Sequence, residues 1–153
     1  MSAEAKLKEL GLELPPPPPR GGVYKPVVVV DGLAYFSGHG PYKNDGTTHT
    51  GRVGDQVDQD FAYEAACQTG LAILATLQDQ LGSLDRIKSV VKLLGLVNSA
   101  PDFYNHPAVI NGCSELFAQV FGEDAGVGTR SAFGVAALPG NITVEIEGIV
   151  EVE

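Results

Sequence analysis

Residues 142–152 read ITVEIEGIVEV, and this C-terminal stretch decides the fold. Apolar side chains recur at every second position of it, with glutamates between them. One face holds Ile142, Val144, Ile146, Val150 and Val152, and the other holds Glu145, Glu147 and Glu151. A period of two is that of a β-strand, and one apolar and one charged face indicate a sheet that is covered on one side. The stretch therefore predicts a long strand in a largely antiparallel sheet.

Further strands are predicted upstream. Residues 130–137 form the strand before it, and a Leu-Pro-Gly-Asn turn separates the two. Residues 87–97 are rich in Leu and β-branched residues and predict a central strand. Near the start of the chain, Asp31-Gly32 joins residues 27–30 to residues 33–37, and Asp-Gly between β-branched and aromatic runs predicts a hairpin.

Two long helices are predicted between these strands. From residue 57 to residue 81 the apolar side chains are spaced mostly three or four residues apart, and Gly82 is expected to end the helix. Pro107 stands at the expected first position of the second helix, whose apolar stripe continues to Gly122. Residues 38–56 are rich in Gly, Asn, Asp and Thr and predict an irregular loop with a short strand near Arg52 and Val53.

The order ββ-α-β-α-ββ predicts one α+β domain over residues 21–153, with a mixed, largely antiparallel sheet and both helices packed on one face. The other face, which carries Tyr35 and Ile149, then needs a cover, and we expect a subunit interface there. Residues 1–20 form an N-terminal arm, with a short helix over residues 2–14 and five prolines in extended conformation. Two interpretations of the arm are open: a segment laid against the domain, or a docking peptide for an aromatic groove.

Charge and composition limit the partners of the chain. It has 153 residues and a formal net charge of −9, with 19 acidic and 10 basic side chains, so it should repel phosphate backbones and anionic membranes. No apolar run approaches the length of a membrane span. Two cysteines cannot form a secreted disulfide framework, and residues 1–10 resemble neither a signal nor a transit peptide. We expect a cytoplasmic protein without nucleic-acid or membrane partners.

Common catalytic motifs are missing from the sequence. It contains no Walker, dinucleotide-binding, zinc-protease or serine-hydrolase pattern. The three histidines, His39, His49 and His106, lie in separate predicted loops, so we interpret them as surface or loop residues rather than a metal site. Cys67 and Cys113 fall on predicted helices and are interpreted as small core residues.

Arg130 is the strongest candidate for a functional side chain. It follows a glycine-rich loop, residues 126–129, that would let backbone approach a ligand, and it opens a strand expected to be mostly buried. A buried arginine must be paired. Its partner is either Glu145, on what would be the next strand, or the carboxylate of a bound ligand.

Several motifs together resemble one known family. They are Arg130-Ser131, the run VAALP at residues 135–139, the run VEIE at residues 144–147, Ser37-Gly38 with Pro41, and the single residues Tyr24 and Asn111. Over residues 20–153 the chain is similar to the reactive-intermediate deaminases, also called YjgF-like proteins or L-PSP endoribonucleases.

The resemblance implies a chorismate-mutase-like (YjgF-like) fold, a homotrimeric barrel of sheets, and pockets at the subunit clefts, without a cofactor or metal. It implies that Arg130 holds the carboxylate of a small metabolite, that Glu145 positions a water, and that Tyr24, Asn111 and the backbone near Gly38 line the pocket. The implied reaction hydrolyses enamine or imine intermediates, such as 2-aminoacrylate, to 2-oxo acids and ammonia. Two alternatives remain open: a non-catalytic carboxylate-binding or regulatory protein, and, less favoured, a ribonuclease or translation inhibitor.

The chain departs from the family pattern at three places. Ala132 stands where many deaminating members have Cys, so a thiol cannot act there. The usual Gly-Pro-Tyr is replaced by Gly22-Val23-Tyr24, and the loop over residues 42–56 is longer than in short members. These features indicate a longer-chain branch of the family.

Overall fold

A computed structural model describes all 153 residues of the chain. Its helices are α1 (Ala3–Glu9), α2 (Gln59–Leu81) and α3 (His106–Phe121), and its strands are β1 (Val27–Val30), β2 (Leu33–His39), β3 (Ile87–Asn98), β4 (Thr129–Val135) and β5 (Val144–Val152). Short 3-10 turns span Leu84–Arg86 and Pro139–Asn141. The predicted order of strands and long helices is confirmed.

The five strands form one sheet in the order β1-β2-β5-β3-β4. Every neighbouring pair is antiparallel except β3 and β4, which run parallel, so the prediction of a mixed, largely antiparallel sheet is confirmed. β5 lies at the centre, and its apolar face, with Val144, Ile146 and Val150, is buried. Helices α2 and α3 pack against each other and cover that face of the sheet.

Local capping fixes the ends of α2. The carboxylate of Asp58 accepts a hydrogen bond from the amide of Phe61 at 2.8 Å, and this cap starts the helix two residues after the predicted position. Gly82 ends the helix as predicted, with a left-handed φ of 89°. Pro107 is the second residue of α3 rather than the first, because the helix begins at His106.

Glycines let α2 and α3 approach closely. A Cβ atom on Gly112 of α3 would lie 2.1 Å from the carbonyl oxygen of Tyr63 on α2. A Cβ atom on Gly70 of α2 would lie 2.8 Å from the side chain of Leu116. Both distances are shorter than van der Waals contact, so each position requires glycine to keep the helix spacing.

The N-terminal arm packs against the rest of the chain. Ala3 and Leu7 of α1 join the hydrophobic core, and Pro15 is also buried. The carboxylate of Glu4 accepts a hydrogen bond from the amide of Leu84 at 3.0 Å. Helix α1 is shorter than predicted, since Gly11 turns the chain with a φ of 68°. These contacts favour the interpretation of the arm as a segment laid against the domain.

The sheet face opposite the helices, called the open face below, has no cover within the chain. It carries Val28, Val30, Tyr35 and Phe133, which are 43%, 51%, 44% and 46% exposed. Three glutamates of β5 lie on the same face. Apolar side chains this exposed on one sheet face favour contact with another protein surface. None of the helices is both long and apolar enough to cross a membrane.

Candidate functional site

Arg130 is the second residue of β4 and reaches across to α3. Its Nη1 donates hydrogen bonds to Oδ1 of Asn111 at 2.7 Å and to Oγ of Ser114 at 3.1 Å. The prediction of a mostly buried strand is wrong here, because β4 is an edge strand and Arg130 is exposed. Both partners are uncharged, so no carboxylate of the chain offsets the positive charge of the guanidinium. Its Nε and Nη2 groups are free to donate hydrogen bonds.

The ion pair between Arg130 and Glu145, one of the two alternatives that the sequence left open, is not formed. Strand β3 lies between β4 and β5, so Glu145 is not on the next strand. Arg130 is opposite Leu93 of β3, whereas Glu145 is opposite Leu96. Residues an odd number of positions apart on a strand point to opposite faces. Arg130 therefore faces the helices and Glu145 faces the open side, so a single chain does not bring them together.

A cavity of about 230 Å³ lies beside Arg130, lined by Leu93, Asn111, Ser114 and residues 126–130. The loop at residues 126–129 needs its glycines for close packing, not for the predicted approach of backbone to a ligand. A Cβ atom on Gly126 would lie 2.3 Å from the carbonyl oxygen of Phe117, and one on Gly128 would lie 2.4 Å from that of Val90. The loop needs glycine because it packs directly on backbone of α3 and β3.

Glu145 and Gly38 form a second group of predicted site residues. A bulge interrupts the pairing of β2 with β5 between Phe36 and His39. It brings the backbone of Gly38 so close that a Cβ atom would lie 2.4 Å from Oε2 of Glu145. Glu145 has no hydrogen-bond or ion-pair partner. Its burial, and secondarily the charge of Glu147, raise the pKa of its carboxyl.

Tyr24 belongs with this second group. It lines a cavity of about 320 Å³, called the Tyr24 cavity below, together with Arg20, Gly38, His39, Tyr42 and Thr48. The hydroxyl of Tyr24 accepts a hydrogen bond from the amide of Gly21 at 3.0 Å. The predicted residues thus fall into two separate sets: Arg130 with Asn111, and Glu145 with Gly38 and Tyr24.

Three residues that border these sites were missed or misread from the sequence. Ser114 follows Asn111 by three positions on α3, and the i, i+3 spacing could have revealed it. Arg20 gave no signal, because only the folded arm brings it to the Tyr24 cavity. His39, predicted as a surface or loop residue, is the buried end of β2.

His39 is held on both sides of its ring. Nδ1 lies 2.5 Å from the carbonyl oxygen of Ser37, and Nε2 lies 2.8 Å from the hydroxyl of Thr76 on α2. Burial lowers the pKa of the imidazole, although the bond to Ser37 opposes this shift. The neutral ring therefore links the bulge, which contains Gly38, to helix α2.

Cysteine chemistry has little support at the site. Cys113 is buried in the core, as predicted, and Cys67 is half-buried against it. Burial raises the pKa of both thiols, which disfavours the nucleophilic thiolate. Ala132 packs against the core two residues after Arg130. No group of three or more His, Cys, Asp or Glu side chains converges in a geometry that could hold a metal ion.

Comparison with known proteins identifies the family. A sequence profile described as YjgF/chorismate mutase-like, putative endoribonuclease, matches residues 4–149. The chain belongs to the YjgF-like family. The matched region begins within α1, so the N-terminal arm lies almost wholly inside it.

Individual members of the YjgF-like family cover the chain almost from end to end. Protein TCP17 of Trypanosoma cruzi is 37% identical over 147 residues, which are 96% of this chain and 92% of the relative. The crystal structure of Atu1372, a protein of unknown function from Agrobacterium tumefaciens, is 41% identical with a TM-score of 0.89, over 99% of this chain and 94% of that one. A putative endoribonuclease from Shewanella oneidensis MR-1 is 29% identical with a TM-score of 0.94, over 99% and 100% of the two chains.

Proposed function

We propose that this YjgF-like protein hydrolyses short-lived enamine or imine intermediates that carry a carboxylate, giving a 2-oxo acid and ammonia. The observation that carries the proposal is the state of Arg130. Its guanidinium borders a small cavity, is fixed by two uncharged side chains, and has no carboxylate partner in the protein. A cation prepared in this way suits the planar, bidentate binding of a substrate carboxylate.

A second copy of the chain completes the site. Arg130 and Glu145 lie on opposite faces of one sheet, so both can act on one small substrate only if they come from different protomers. The exposed apolar side chains of the open face supply the surface for such assembly. A closed homotrimer places Arg130 of each protomer against Glu145 of its neighbour, in a head-to-tail arrangement that repeats three times.

The chemistry demands little beyond positioning and one proton acceptor. The enamine first takes a proton on its β-carbon and loses one from its nitrogen, which gives the imine. A water then adds its oxygen to the imine carbon while the carboxylate of Glu145 takes one of the water's two protons and passes it to the nitrogen, which becomes an amine. The second proton moves from the new hydroxyl group to the nitrogen, which leaves as ammonia. The carbonyl forms as the carbon–nitrogen bond breaks, so one water is consumed for each ammonia released. Holding the substrate by Arg130 makes the addition effectively unimolecular.

The surroundings of Glu145 suit this role. Within one chain its carboxylate has no partner, and burial shifts its pKa upward, which makes it a better proton acceptor than an ordinary glutamate. The backbone of Gly38 runs directly beside it and offers peptide groups without side-chain obstruction. Ala132 keeps a thiol out of the reaction, in agreement with hydrolysis by water.

Binding without turnover is the nearest alternative, since a sensor of 2-oxo acids would also use Arg130. Ribonuclease activity, which the family description contains, has less support. The net charge of −9 opposes RNA binding, and no Lys or Arg other than Arg130 lines its cavity. RNA affinity that falls steeply with added salt at physiological ionic strength would favour the ribonuclease.

The test follows the decay of 2-aminoacrylate released by a pyridoxal-phosphate dehydratase. The wild-type protein should accelerate decay over the protein-free reaction, and Arg130→Ala should lose at least about a hundredfold of kcat/KM. Arg52→Ala is the matched control, because that arginine is exposed and pairs only with Asp55 outside the site. Equal decay with wild type, Arg130→Ala and no protein would refute the proposed function.

A further inference from the structure

The Tyr24 cavity contains an unusual balance of charge for this protein. None of its 14 lining residues is Asp or Glu. Arg20 is the only charged side chain among them, because the ring of His39 is neutral. The whole chain, in contrast, carries 19 acidic and 10 basic residues. A cavity with one cation and no carboxylate is selective for an anionic group.

The hydrogen-bonding groups around Arg20 also favour an anion. Nη1 of Arg20 donates to the carbonyl oxygen of Tyr24 at 3.1 Å, which orients the guanidinium and leaves its other N–H groups free. No carboxylate of the protein forms a salt bridge with it. The hydroxyl of Tyr24 accepts a bond from Gly21 and still has its hydrogen to donate. Tyr42 and Thr48 add two further hydroxyl groups to the wall.

The position of the cavity connects it to the proposed reaction centre. Gly38 lines the cavity, and the carboxylate of Glu145, which does not line it, lies against the same residue, so Gly38 stands between the cavity and the carboxylate that would activate water. Its volume of about 320 Å³ leaves room for a short side chain that extends away from the reacting carbon. The cavity beside Arg130 is separate and smaller, at about 230 Å³.

We infer that the Tyr24 cavity binds a second carboxylate, at the far end of the substrate side chain, and that the preferred substrates are 2-imino dicarboxylic acids. Arg20 holds this distal carboxylate, while Arg130 of the neighbouring copy holds the one next to the imine. This inference rests on the proposed function for the reaction itself, and the distal carboxylate passes through that reaction unchanged. An enzyme that oxidises the amine of an amino dicarboxylic acid would supply such an imine.

A neutral or apolar side chain of a substrate fits the Tyr24 cavity less well. It would displace water from the guanidinium of Arg20 without returning a hydrogen-bond acceptor to it. A monocarboxylic imine such as that of pyruvate would leave the cavity hydrated and gain nothing from Arg20. Selectivity should therefore depend on this arginine, the one cation that lines the Tyr24 cavity, since Lys25 and Asp79 line a neighbouring cavity that also borders Arg20.

In the experiment, amino acid oxidases generate the imines in situ. Hydrolysis of the imines from glutamate or aspartate is compared with hydrolysis of the imine from alanine. The wild-type protein should prefer the dicarboxylic imines in kcat/KM by about tenfold to a hundredfold, the range expected of a charge-assisted hydrogen bond. Arg20→Gln should remove this preference by lowering kcat/KM for the dicarboxylic imines to about the value for the alanine-derived imine. Lys25→Gln is the matched control, because Lys25 is an exposed cation near Arg20 that does not line the Tyr24 cavity.

A binding measurement separates the inference from the proposed function. Calorimetry should give a Kd for 2-oxoglutarate at least about tenfold below that for 2-oxobutyrate, and Arg20→Gln should abolish the difference. If no imine is hydrolysed but this selectivity is present, the cavity assignment stands and the deaminase function fails. If Arg130-dependent turnover is present but Arg20→Gln changes neither selectivity nor affinity, the deaminase function stands and the inference is overturned.

Discussion

Two inactive variants of this protein should restore each other when they are assembled together. Arg130→Ala removes the carboxylate anchor, and Glu145→Gln removes the proton acceptor while it keeps the shape of the side chain. Each variant alone should lack imine hydrolysis. Because the two residues lie on opposite faces of the same sheet, a functional site would take one from each of two neighbouring protomers.

The size of the recovery follows from this arrangement. In a head-to-tail trimer each site has one arginine side and one glutamate side. When the two variants mix at random in equal amounts, about one site in four receives both intact residues, so activity should return to about a quarter of the wild-type value. In purified mixed trimers, which contain two copies of one variant and one of the other, about one site in three is intact.

The assay uses two affinity tags. The variants are co-expressed with different tags, and mixed trimers are isolated by sequential purification on both. Light scattering confirms the trimer mass, mass spectrometry confirms both chains, and the decay of 2-aminoacrylate gives the activity. Trimers of each variant alone, purified in the same way, supply the baseline.

Two results would contradict the reasoning. Activity of verified mixed trimers that stays at the baseline would mean that Arg130 and Glu145 do not meet across an interface. Activity near that of the wild type, from variants that are inactive alone, would contradict the count of one intact site in three. A monomer in light scattering would remove the assembly on which the calculation depends.

Three further predictions concern the elements around the site. His39→Gln should reduce the pH dependence of stability, because burial lowers the folded-state pKa of His39 below 6.5. The contribution of His39 to the free energy of unfolding should be constant above about pH 6.5 and fall below it by up to about 1.4 kcal/mol per unit, while His49, whose pKa burial also lowers, keeps its own contribution in the variant, as chemical denaturation can measure. Gly38→Ala should displace the carboxylate of Glu145 and lower kcat about tenfold or more with little change in thermal stability, and an unchanged kcat would contradict this. Phe133→Asp should place a charge on the open face and yield monomers in size-exclusion chromatography, whereas Leu10→Asp, an exposed control at the end of α1 and outside that face, should leave assembly unchanged.

The sequence predicted those features that depend on neighbouring residues. The alternation in β5 identified its buried face, Asp31-Gly32 identified the hairpin, and Gly82 identified the end of α2. Each signal is local: a period, a turn or a cap that the backbone conformation requires. Arg130 could be singled out for a related reason, because its motif and the glycine-rich loop before it are visible in the chain.

Only the tertiary structure decided how the site residues are arranged. Consecutive strands usually lie side by side, and on that basis Glu145 was placed next to Arg130. In the folded chain, β3 lies between β4 and β5, which turns the two side chains to opposite faces. Strand order depends on long-range pairing and on the packing of both helices, and a period of two fixes faces only within one strand. The sequence by itself therefore identified Arg130 as a candidate, but the fold determined that Glu145 of the same chain does not lie beside it.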